Sequence, residues 1–238
     1  MLFYVKRFLV VAGVVALTAC STTPRVPLQA ESKQKIKTIA LVQLPDPNKY
    51  FLYPGQIPGG SALYMFGAIG GLVLGGIEAS RTDSASNEFT ASLSPQNPAL
   101  GTHATDELAK AISDRGYVLK KVPALPNQAD DKITDCSAIK GNFDAVVIAT
   151  MSAGYSVESQ VEPRIGIRVK LLSADCSQTL YSNSFLYASK EFSSSVFVQR
   201  DPEFSFANRD LLIAGAPKAK DGLREGVTKL AMRIAQEL

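Results

Sequence analysis

Residues capable of catalysis are few in this chain and are poorly grouped. His103 is the single histidine, and Asp106 follows it three residues later, which favours a local surface pair on a helix over a catalytic triad. The acidic neighbours Asp130 and Asp131 diverge on a helix and are typical of a solvated face. Neither the phosphate-binding pattern G-x-x-x-x-G-K-S/T nor the nucleophile pattern G-x-S-x-G occurs. We therefore expect no enzyme activity and no cofactor.

The amino terminus has the pattern of an export signal. Lys6 and Arg7 form a short basic region, and residues 8–17 are an uncharged apolar run. That run is too short to span a bilayer as a helix, which takes about 20 residues. Its length is typical of the apolar region of a secretory signal peptide. We assign residues 1–19 to the signal and expect the working protein to start at Cys20.

The end of this signal, Leu17-Thr18-Ala19-Cys20, resembles a bacterial lipobox. The resemblance implies that Cys20 is acylated and becomes the first residue of the mature chain. Ser21 stands next to it where aspartate would retain a lipoprotein at the inner membrane. The resemblance thus implies an outer-membrane lipoprotein, its domain facing the periplasm or, as an alternative, the cell surface. The competing interpretation is an ordinary signal peptide with a chance cysteine.

Two further cysteines remain for the folded domain. Cys136 and Cys176 form an even pair in an exported chain, and exported proteins mature in an oxidising compartment. This predicts a disulfide between them, with two separate thiols as the alternative. We expect no metal site, because two cysteines and one histidine fall short of the usual zinc ligand set.

The charge balance argues against nucleic acid as a partner. Loss of Lys6 and Arg7 with the signal lowers the basic residues from 25 to 23, against 22 acidic ones. A nearly neutral chain gains little from counterion release on nucleic acid and has no polybasic patch for anionic lipid. Attachment to the membrane is therefore expected to come from the acyl chains at Cys20.

A long uncharged stretch, residues 51–77, is the most unusual feature of the domain. Within it, Gly67, Gly71 and Gly75 are spaced four apart, as in close contacts between helices. Residues 62–77 would form a helix about 24 Å long, short of about 30 Å of hydrocarbon. Three interpretations stay open: an insertion packed on its own domain, a glycine-mediated contact between subunits, and membrane insertion.

The remaining pattern predicts one α/β domain. Residues 20–37 are interpreted as a lipidated flexible tether and residues 38–238 as the domain, with residues 51–80 as a glycine-rich apolar insertion. Predicted strands cover 36–44, 117–122, 143–151, 161–172 and 180–188, the last two pairing as an antiparallel hairpin. Predicted helices start at residue 101 or 102 and at Asp221; residues 78–98 and 189–220 are interpreted as irregular.

The fold class that follows is a two-layer α/β (α+β-like) fold, with amphipathic helices on one mixed sheet. This element order resembles the small α/β domain of penicillin-binding-protein activators, the curli-secretion channel lipoprotein and the amino-terminal domain of the translocation protein TolB. The resemblance implies an envelope protein that works through protein contacts.

Two functional hypotheses remain. The first is a non-enzymatic, lipid-anchored envelope protein that binds or scaffolds a protein partner, with homo-oligomers as one form of that contact. The second is a membrane-active or secretion-assembly subunit that uses the apolar stretch 59–77. The environment of that stretch separates them, because large exposed apolar patches mark interfaces.

Overall fold

The computed structural model describes residues 25–54, 76–126, 128, 136–191 and 194–238. The predicted signal, Cys20, Gly67, Gly71 and Gly75 lie outside these ranges. The described elements, in chain order, are helix α1 (Ala30–Lys35), strands β1 (Thr38–Val42) and β2 (Phe51–Pro54), helices α2 (Gly76–Leu93) and α3 (Leu100–Ser113), strands β3 (Val118–Val122), β4 (Ala145–Val157), β5 (Val161–Ser173), β6 (Thr179–Ala188) and β7 (Val196–Gln199), and helices α4 (Arg209–Ala214) and α5 (Ala216–Glu237).

The strands form one mixed sheet in the order β3-β1-β4-β5-β6-β7. Strand β4 is long enough to take two parallel neighbours on one side: β1 pairs with its first residues and β2 with Gly154–Val157. Strands β4, β5 and β6 are antiparallel to one another, so the predicted hairpin of β5 and β6 is confirmed. The predicted two-layer α/β fold with a mixed sheet is also confirmed.

Helices α3 and α5 cover one face of the sheet, which we call the helix face. Alternate residues of β5 supply its centre, because successive side chains of a strand point to opposite faces. Gly226 of α5 lets this helix come close: a Cβ there would lie 2.5 Å from Ile165 Cδ1 and 2.6 Å from the Tyr187 ring. The buried residues of the helix face are Ile39, Leu41, Leu108, Ile112, Val147, Ile165, Ile167, Val169, Leu171, Tyr181, Phe185, Leu223, Val227, Leu230 and Ile234.

The opposite face, which we call the loop face, holds a smaller apolar cluster at one end of the sheet. Ala40, Val42, Val146 and Ile148 lie at its centre, and the disulfide-linked cysteines pack against them. The structure joins Cys136 and Cys176, as the sequence predicts, with 5.7 Å between their Cα atoms. The bond ties the segment after β3 to the turn between β5 and β6.

Residues 78–98 differ from the prediction: the structure places helix α2 at Gly76–Leu93. The stretch is rich in serine and threonine, which are usual in loops. Here their hydroxyls accept hydrogen bonds from the backbone of β2: Leu52 N–H donates to Ser86 Oγ (3.0 Å) and Tyr50 N–H to Thr90 Oγ1 (2.9 Å). The polar composition of the helix therefore completes the outer edge of a short strand.

Two other predictions need correction. Residues 189–220 are not mainly irregular, since β7 and α4 lie there and α5 begins at Ala216 instead of Asp221. Arg164, predicted to point to water, is 6% exposed.

The predicted tether is also partly attached to the domain. Val26 forms an isolated antiparallel bridge with Ser182 of β6, and α1 follows at Ala30–Lys35. Contacts with the domain therefore start well before residue 38.

Candidate functional site

The structure describes both ends of the glycine-rich insertion, and we call them the insertion base: strand β2, helix α2 and the paired residues Gly154–Val157 of β4. Strand β2 runs parallel to the end of β4, with Pro54 opposite Val157. Helix α2 returns antiparallel along β2, because Ser86 meets Leu52 while the later Thr90 meets Tyr50. Pro54 and Gly76 thus lie toward one end of the sheet, the end with the turn between β4 and β5.

Backbone hydrogen bonds hold β2 on two sides. One edge pairs with β4, and the other edge donates its N–H groups to the hydroxyls of α2. Ser86 Oγ in turn donates to Thr82 O at 2.8 Å, so each hydroxyl also has an acceptor within its own helix. Buried backbone N–H groups are costly to leave unpaired, and these bonds fix the position of the strand.

Gly154 of β4 allows β2 to lie where it does. A Cβ at this position would lie 1.9 Å from the carbonyl oxygen of Phe51 and 2.7 Å from its nitrogen. These are backbone atoms, which cannot turn aside as the end of a side chain can. The contact between β2 and β4 therefore requires a residue without a side chain at 154.

A buried aromatic and a cation meet beside this contact. The Arg164 guanidinium carbon lies 5.1 Å from the centre of the Tyr53 ring, within the range of a cation–π interaction. Burial raises the pKa of Tyr53 and lowers the pKa of Arg164, in each case because it disfavours the charged form. Tyr53 stays neutral at neutral pH, and its ring faces a charge that attracts it.

Ion pairs surround the same end of the sheet. Arg200 pairs with the largely buried Glu162 and also donates to Ser205 Oγ at 2.8 Å. Lys190 pairs with Glu158 in the turn between β4 and β5. Charged side chains here are therefore engaged in holding the end of the sheet together.

His103 does not form the predicted pair with Asp106. Its Nε2 lies 3.1 Å from both Arg224 O and Thr228 Oγ1 of α5, while Asp106 binds Lys121 at 2.8 Å. The histidine packs between α3 and α5. No nucleophile is brought to it among its described contacts.

This packing predicts a pH dependence of stability. Burial first, and then Arg224, lowers the pKa of His103 below its usual 6.5, so the folded state favours the neutral ring. The stabilisation is complete above the pKa of the unfolded chain, and it is lost as the pH falls from there toward the lower pKa of the folded state. We expect the free energy of unfolding to fall between about pH 7.5 and about pH 5.5. Urea unfolding of His103→Gln should be flatter over this range; an equal slope in both proteins would contradict the assignment.

Within the described ranges, no group of three His, Cys, Asp or Glu residues could hold a metal ion. The described helices also include none long and apolar enough to cross a membrane. The insertion itself lies outside what these two findings cover.

Sequence reasoning missed most of the insertion base. Tyr53 and Arg164 are more than a hundred residues apart, and nothing local to either predicts their contact. A signal for β2 was present in the apolar residues before Pro54, but the two prolines of this stretch obscured it. Gly154 could have been noticed as a glycine inside an otherwise continuous strand, which often marks a close backbone approach.

Comparison with known proteins yields no family. No family model and no curated protein matches the chain. Among solved structures, the PelC dodecamer from Paraburkholderia phytofirmans is 10% identical, covers 90% of this chain and 94% of its own, and has a TM-score of 0.36. A DUF330 protein from Xanthomonas campestris is 14% identical over 90% of this chain and 93% of its own, also with a TM-score of 0.36.

A third structure, a putative neuraminyllactose-binding hemagglutinin homolog from Helicobacter pylori, is 12% identical over 86% of each chain, with a TM-score of 0.33. All three TM-scores are below 0.5. Likenesses of this size carry no conclusion about this chain.

Proposed function

We propose that this chain is a non-enzymatic, lipid-anchored protein of the bacterial outer membrane that binds or scaffolds a protein partner. The lipid is carried by Cys20, and the contact is made by the glycine-rich insertion. The partner is either another envelope protein or a second copy of the chain. The domain faces the periplasm.

The insertion base is the observation that carries this proposal. A short strand is held by β4 on one side and by helix hydroxyls on the other, and both chain ends lead toward one end of the sheet. Between them stand 21 residues, 55–75, none of them charged. A firmly held base for an uncharged, glycine-rich segment suits a contact surface, because apolar surface and close backbone approach both favour association.

The lipid anchor rests on the sequence from Lys6 to Cys20. We expect Cys20→Ala to abolish labelling by a radioactive fatty acid and to leave an unprocessed or soluble precursor. Ser21→Ala is the matched control and should still be labelled. If Cys20→Ala protein is processed normally and still partitions with membranes, the anchor lies elsewhere.

Photo-crosslinking in living cells tests the partner contact. Gln160, in the turn between β4 and β5, and Gln178, in the turn between β5 and β6, are both exposed and lie at opposite ends of the sheet. A photoreactive side chain at 160 should give adducts with a protein or with a second copy, and one at 178 should not. Adducts at 178 alone, or at neither position, would argue against the proposal.

A further inference from the structure

The amino-terminal segment contacts the folded domain before the first strand begins. Val26 N–H donates to Ser182 O at 2.8 Å, and Ser182 N–H donates to Val26 O at 2.9 Å. Arg25 Nη2 lies 3.4 Å from Glu237 Oε2 at the end of α5. We call Arg25 and Val26 together the amino-terminal clip.

The surface that receives the clip is built by the domain itself. Glu237 Oε2 accepts hydrogen bonds from Tyr181 (3.1 Å) and Asn183 (3.0 Å), and Oε1 accepts one from Arg233 (2.9 Å). These bonds hold the carboxylate in place without any help from Arg25. In the described residues, β7 pairs with β6 only at Phe185–Ala188, so the backbone edge at Ser182 is left for the clip.

We propose that the clip fixes the orientation of the domain on its membrane, with the turn between β5 and β6 toward the lipid and the insertion base away from it. The proposal rests on the lipid anchor at Cys20 proposed above. It deepens that function by stating on which side the partner is met.

The length of free chain supports this orientation. Five residues separate Cys20 from Arg25, and at about 3.4 Å per residue they reach at most about 17 Å. A tether that ran freely to Lys37 would reach about 58 Å. With the clip bound, the edge of β6 near Ser182 stays close to the anchored lipid.

The insertion base lies at the other end of the same strands. Ser182 is opposite Lys170, and Lys170 is nine residues along β5 from Val161. Val161 pairs with Val157, which in turn pairs with Pro54. Nine residues of strand span about 30 Å. A domain held at Ser182 therefore directs its insertion away from the anchoring membrane.

The clip is reversible in principle, because it consists of two backbone hydrogen bonds and one ion pair. The Arg25 side chain is 63% exposed, so added salt screens its attraction to Glu237. Release would lengthen the tether about threefold and free the orientation.

Cross-linking tests the clip in the full-length protein. Catalysed oxidation should join Val26→Cys to Ser182→Cys much faster than to Gln178→Cys, although Gln178 is the more exposed. Adding Glu237→Gln should lower the 26–182 yield by about two- to five-fold, and high salt should act similarly. Equal or faster formation of the 26–178 bond would overturn the clip; it would leave lipid anchoring intact, since this assay does not require the lipid.

Vesicles test the orientation. The lipidated protein is bound to vesicles of phosphatidylethanolamine and phosphatidylglycerol that carry a headgroup quencher, with a fluorophore at position 178 or 160. We expect strong quenching at 178 and weak quenching at 160. Equal quenching, or stronger quenching at 160, would overturn the orientation. Failure of the protein to bind the vesicles at all would overturn the anchor, and the orientation with it, while the cross-link could still form.

Discussion

Gly154→Val is expected to be among the most damaging single substitutions in the domain. The new Cβ would lie 1.9 Å from the Phe51 carbonyl oxygen, so β2 must move away or β4 must bend. Overpacking typically costs about 1–3 kcal/mol, and we expect at least the upper end because the clash is with backbone. Urea unfolding measures the loss, and limited proteolysis shows whether β2 has detached.

Thr150→Val is the matched control for this substitution. Residue 150 is on the same strand and, four residues earlier, on the same face, and it already carries a β-branched side chain. Its replacement should cost far less. If Gly154→Val unfolds at the same urea concentration as the wild type, β2 does not lie against β4 as described.

Removal of the disulfide is the second large effect. Cys136 and Cys176 are 40 residues apart in sequence, and a bond that closes such a loop typically stabilises by about 2–4 kcal/mol. It also holds Ile139 and Phe143 against the apolar cluster of the loop face. We expect Cys136→Ala with Cys176→Ala to lower the free energy of unfolding by about this amount.

A reducing agent provides the control. It should destabilise the wild type to about the level of the double variant and leave the double variant unchanged. A wild type that unfolds identically with and without reductant would show that the bond is absent or contributes nothing.

The centre of the sheet could be predicted because its pattern is local. The continuous apolar run after residue 143 indicates a strand buried on both faces, and the alternation from Val161 to Leu172 indicates its partner. Gly116 was expected in a left-handed conformation after α3, and its φ is +91°. Each signal is carried by residues within a dozen positions of one another.

The elements that sequence reasoning missed depend on distant partners. Helix α2 buries Phe89 and Leu93 but otherwise presents serines and threonines, whose use becomes clear only when β2 lies beside them. Arg164 follows the alternation of a water-facing residue, yet Tyr53 lies beside it. The amino-terminal clip consists of two residues in a polar, proline-containing stretch, and its receiving site is formed by β6 and α5.

The central claim is that the spaced glycines of the insertion make the partner contact. Gly71→Leu and Gly70→Leu add the same side chain one residue apart, but only position 71 belongs to the four-residue spacing. The decisive measurement is the yield of photo-crosslinked adducts from position 160 in cells, with urea unfolding measured in parallel. We predict that Gly71→Leu unfolds like the wild type but loses the adducts, while Gly70→Leu keeps them. Equal yields from the two variants, or a loss of adducts that accompanies a loss of stability in Gly71→Leu, would contradict the claim.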